Sequence, residues 1–174
     1  MKLKNQVCSL ELSKKLEELG VKQSSLFWWV KGKMDYGYEG EWWIEESNDW
    51  FIFDQKVGYE FNRYDLQLEV KRWEDESSEE FEKWRKRQKR AENKFLKENI
   101  ISAFTSAELG EILPNGIDYI ITTTKQANRW LCRCEYIKGA FREELYYEWA
   151  ETEVDVRALV LIYLLENKII KLRK

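Results

Sequence analysis

Residues 152–170, TEVDVRALVLIYLLENKII, constrain the fold more than any other part of the chain. Val154, Ala158, Leu161, Ile162, Leu165 and Ile169 recur with the 3.6-residue period of a helix, and Thr152 with Asp155 three residues on is a helix-start signal. Leu159, Val160, Tyr163 and Leu164 widen that stripe until the helix is apolar on almost every side. Such a helix is stable in water only when other elements enclose it, and it falls short of the roughly 20 apolar residues that a membrane span needs. It is therefore expected to be the core element on which the rest packs.

The segments just before it supply a sheet to cover it. Three alternating stretches, about 117–124, 129–137 and 143–149, are joined by short links at Gln126-Ala127-Asn128 and Lys138-Gly139-Ala140, the pattern of an antiparallel meander. Upstream, Thr105 as cap, Glu108 reaching back and Phe104 stapled to Leu109 predict a short helix that Pro114 closes. Near the N-terminus, Ser9 begins a helix with Leu12, Leu16 and Leu19 on one side, and Gly20 is its left-handed stop.

The middle of the chain has a different texture. Leu26-Phe27-Trp28-Trp29-Val30 suits a strand buried in a sheet, and 34–73 is strand-like throughout. Trp42-Trp43-Ile44 and Trp50-Phe51-Ile52-Phe53 flank Ser47-Asn48-Asp49, which reads as a hairpin turn, and a further strand is expected through Tyr64, Leu66, Leu68 and Val70. Ser77-Ser78-Glu79-Glu80 then opens a long charged helix to about Lys97 with a narrow apolar seam. The expected fold class is α+β: an antiparallel β-meander sheet packed on a buried C-terminal helix, with an inserted aromatic β-hairpin region and a long charged helix. We expect a single domain over 1–174, with 35–98 inserted within it.

Composition limits the chemistry. The 174 residues, 44% of them hydrophobic, suffice to bury roughly 70% of the unfolded chain's surface. There is no histidine, so histidine-activated nucleophiles and H-E-x-x-H zinc hydrolysis do not arise. Gly32, Gly37 and Gly40 match no phosphate-binding pattern. The three cysteines, Cys8, Cys132 and Cys134, form neither a disulfide framework nor a zinc set and read as reduced packing residues, the last two on one face of a strand. Adjacent carboxylates such as Glu143 and Glu144 diverge on a strand and make a poor acid–base pair. No catalytic residue, cofactor or metal is assigned, and with a charged N-terminus the expected location is the cytoplasm.

Two surfaces could bind a partner. At about 100° per residue, Lys83, Lys86, Arg87, Arg90, Lys94 and Lys97 share one stripe of the charged helix, suited to phosphates or an acidic protein groove. A solvated helix whose cations complement its own dipole would look the same. The second surface is acidic and aromatic. Glu39, Glu41, Trp42, Trp43, Glu45, Glu46, Asp49 and Trp50 lie in a stretch, 35–65, where nine acids face only Lys56 and Arg63. Those acids could instead pair with the basic helix and keep a tryptophan-rich sheet in solution, and the net charge of the whole chain is only −3. Nine tryptophans could also supply stacking platforms for bases.

Three blocks, CSLELSKKLEELGVKQSSLFWWV (8–30), ISAFTSAELGEILP (101–114) and AETEVDVRALVLIYLLENKII (150–170), together resemble a group of small proteins encoded by phages and prophages. The resemblance covers about a third of the chain and implies a viral or mobile-element accessory protein working in a bacterial cytosol. It carries no catalytic residues. The leading expectation is a non-enzymatic protein that binds and modulates a bacterial host or defence-system protein through 35–97. The alternatives are nucleic-acid binding by the basic stripe and sequestration of a small ligand such as a nucleotide.

Overall fold

A computed structural model describes residues 3–36, 42–54, 82–83, 86, 90, 99–114 and 118–172. Its contacts divide the chain into two compact units, Met1–Phe27 with Ser102–Lys174, and Trp28–Ile101. The expected α+β class is observed: helices and two three-stranded antiparallel sheets.

The first unit contains α1 (Leu10–Glu18), α2 (Ser106–Ile112), the meander β4 (Tyr119–Gln126), β5 (Arg129–Lys138) and β6 (Phe141–Ala150), and α3 (Glu153–Glu166). Strand order is β4-β5-β6, and both hairpins turn in two residues, since Gln126 pairs with Arg129 and Lys138 with Phe141. Each turn needs a left-handed first residue. Gly139 (φ +64°) supplies it freely, whereas Ala127 (φ +52°) takes it with a Cβ. Leu145 is a bulge, because Cys134 pairs with Tyr146 and Glu135 with Glu144. The bulge lets Leu145 and Tyr146, neighbours in sequence, both pack on the core.

As its composition requires, α3 is enclosed, touching all three strands of the meander and both shorter helices. Val154, Val156, Ala158, Val160, Leu161, Ile162 and Leu164 are buried. The sheet offers Cys132 and Cys134 to that core, the short helices Leu16 and Leu109, and the segment before α2 offers Phe104. At Gly110 the Arg157 guanidinium, paired with Glu153, lies where a Cβ would meet it at 2.9 Å.

Helix ends follow the sequence grammar with one difference. Thr105 and Glu108 form a reciprocal capping box, and Thr152 Oγ1 accepts from the Asp155 N–H. The α1 stop is a Schellman turn at Gly20 (φ +82°), with the Val21 N–H on the Leu16 carbonyl. Ser9 occupies the N-cap position, yet its side chain makes no capping bond. Its backbone N–H instead donates to Asp155 Oδ1 at 2.8 Å, so one carboxylate accepts from the Thr152 hydroxyl that caps α3 and anchors the start of α1.

In the second unit, β1 (Phe27–Tyr36) lies between β2 (Trp42–Asp54) and β3 (Ile100–Ser102). Among the described side chains Val30 on β1, Phe53 on β2, and Ile101 and Ser102 on β3 are buried. The expected turn at Ser47-Asn48-Asp49 is absent: β2 runs straight through it. Turn-forming side chains only bias the backbone, and here the segment is part of a strand that neighbours β1 in the sheet. β3 is too short for its periodicity to show in the sequence. The expected strand through Tyr64–Val70 and the start of the charged helix lie outside the described residues.

Candidate interaction surfaces

The structure places part of each expected surface. Lys83, Lys86 and Arg90 are helical and exposed, and their spacings of three and four residues are those of one helical face. Arg87, Lys94 and Lys97 lie outside the described residues. Of the acidic aromatic set, Trp42, Trp43, Glu45, Glu46, Asp49 and Trp50 all lie on β2, where Asp49 is exposed and Trp50 half-buried. Glu39 and Glu41, and the side-chain positions of Trp42, Trp43, Glu45 and Glu46, lie outside the description.

A surface that the sequence did not single out is the face of the meander turned away from α3. Register fixes its rows. Thr122, Arg133 and Tyr147 stand side by side, and Thr124, Leu131 and Trp149 form the next row. Thr122, Thr124, Arg133 and Tyr147 are exposed, Trp149 is half-buried, and Leu131 between them is only 3% exposed. Glu144 on this face meets Arg133 (3.7 Å), while Glu143, of opposite direction, pairs in register with Tyr136. The adjacent carboxylates therefore diverge, as strand geometry requires. The alternation that would have exposed this face in the sequence is broken at Leu145, which shifts the parity of Tyr147 and Trp149 relative to Arg142 and Glu144.

Among the described residues, the core around α3 holds groups whose ionisation folding perturbs strongly. Burial pushes the Cys8 thiol up to about 12, although its hydrogen bond with Ser13 (2.9 Å) pulls it the other way. Cys134 rises to about 11, chiefly through burial and then through Cys132 and Glu135. Cys132 is raised by burial too. Tyr146, stacked on Tyr163 with ring centroids 3.8 Å apart and donating to Glu148 Oε2, is pushed up to about 12 by burial and then by that carboxylate.

These thiols form no disulfide, are buried and stay protonated at neutral pH, the opposite of what a nucleophile or redox cysteine needs. Their titration also sets a stability limit. Between the ordinary thiol value of 9.0 and about 12 the unfolded chain binds fewer protons than the native one, so unfolding free energy must fall as pH rises. Urea midpoints measured from pH 7 upward should be flat until about pH 9 and then drop; a midpoint constant to pH 11 would contradict the burial of these groups.

Among the described residues no cluster of three or more His, Cys, Asp or Glu could hold a metal ion, and no helix is long and apolar enough to cross a membrane. An α+β chain with a meander on an enclosed helix is thus the class that fold and surfaces define. Comparisons with protein-family models, with curated proteins and with solved structures found no match.

Proposed function

We propose that this chain is a non-enzymatic accessory protein of a phage or mobile element. It acts in the bacterial cytosol by binding a host or defence-system protein through the region 35–97. The observation that carries this reading is the set of exposed helical cations, Lys83, Lys86 and Arg90, on one face. Cations spaced in this way match an acidic groove on a folded partner and steer its approach. The resemblance of blocks 8–30, 101–114 and 150–170 to phage and prophage proteins supports the viral setting.

Reversing charge at two exposed positions, Lys86→Glu with Arg90→Glu, tests this without touching a core. In affinity capture from bacterial lysate, read by mass spectrometry, the double variant should recover its main partner at least tenfold less well while unfolding at the same temperature. Equal recovery by both proteins would remove the helix as the contact.

A further inference from the structure

We propose that the outward face of the meander binds a short stretch of single-stranded nucleic acid, one base stacking on Tyr147, the next on Trp149, with Arg133 and Arg129 on the backbone phosphates. This surface is distinct from the cationic helix. Tyr147 is 52% exposed, and its ring and hydroxyl have no partner among the described residues. Trp149 stands two residues along the same strand and on the same face, in register with the buried Leu131.

Dimensions select the occupant. Residues i and i+2 of a strand are about 6.8 Å apart. Stacked bases in a duplex rise only about 3.4 Å, so the two rings match consecutive bases that have come unstacked, as in an extended single strand. The face is three strands wide at about 4.8 Å spacing and ten residues long, roughly 10 by 33 Å. That extent is ample for two or three nucleotides.

Charge agrees. Arg129 is exposed and has no ion pair among the described residues. Arg133 meets Glu144 at 3.7 Å, and Arg142 meets Glu135 at 3.9 Å. Exposed pairs this long contribute little, so a phosphate can take over the guanidinium of Arg133. The hydroxyls of Thr122 and Thr124 complete the rows with groups that bond to phosphate and sugar rather than reading sequence. The expected binding is therefore weakly selective for base and sensitive to salt.

The test is fluorescence anisotropy with fluorescein-labelled deca-thymidylate and the full chain. Saturable binding at low salt is expected, with a log–log salt slope of about −1.4 for two phosphates. Tyr147→Ala should weaken binding about tenfold, the loss of one stacked base. Tyr147→Phe should keep it, and so should the Lys86→Glu, Arg90→Glu double variant, so the two surfaces succeed or fail separately. Tyr147 lies at the surface, and thermal unfolding confirms that each variant is folded. Absence of binding at low salt, equal affinity for the thymidylate–adenylate duplex, equal loss in Tyr147→Ala and Tyr147→Phe, or loss confined to the helix variant would each overturn the proposal.

Discussion

Truncating Leu164 to alanine is expected to lower the unfolding free energy by about 3–4 kcal/mol. Leu164 is fully buried in the core that α3 shares with the meander and the two shorter helices. Its main chain is engaged as well, since its carbonyl accepts the Ile169 N–H in the turn that ends α3. Alanine preserves that turn and favours the helix slightly, so the loss reports the vacated volume and not a damaged backbone. Small domains hold only about 5–15 kcal/mol in total, and the variant would lose a large part of it. Leu159→Ala, on the same helix but only partly buried, is the control and should cost about half as much or less. Equal effects in urea titration would mean that α3 is not enclosed as described.

Glu108→Ala should cost about 2–3 kcal/mol, more than an ordinary cap. The carboxylate accepts four hydrogen bonds, from the Thr105 N–H (2.7 Å), Thr105 Oγ1 (2.8 Å), Ser25 Oγ (3.0 Å) and the Leu26 N–H (2.9 Å). Two of these start α2, and two pin the segment that leads into β1. Ser25 is buried and its hydroxyl would keep only the Ala103 carbonyl (3.1 Å) as acceptor, while the Thr105 and Leu26 N–H groups lose theirs. Glutamine should recover less than half of the loss, because its NH2 would face a donor wherever it points. Hydrogen exchange gives a local reading. Protection at Thr105 and Leu26 should collapse while that of α3 persists, and unchanged protection at both amides would show the clamp to be unimportant.

Much of the architecture could be read from the residues because its signals are local. The apolar girth of α3, the Thr105–Glu108 box, the Thr152–Asp155 cap and the Gly20 stop each lie within a few residues. Features decided by distant partners could not be read. Ser47-Asn48-Asp49 has turn chemistry, yet it lies within β2, a strand that neighbours β1 in the sheet. Ser9 is a good capping residue, but its helix is anchored by an acid 146 positions away. The surfaces divide in the same way. That Lys83, Lys86 and Arg90 are helical and exposed was legible, because helical spacing alone aligns them. The outward face of the meander was hidden, because its rows run across three strands and a bulge at Leu145 resets which residues of β6 share it.

The first unit is assembled from both ends of the chain, with α1 near the beginning and α3 near the end. A ribosome therefore delivers Leu16 and Val21 long before the helix they must pack against exists. Until α3 has been made those side chains have no helix to pack against, so the first unit closes only when α3 emerges and gathers the meander and the waiting α1 around itself.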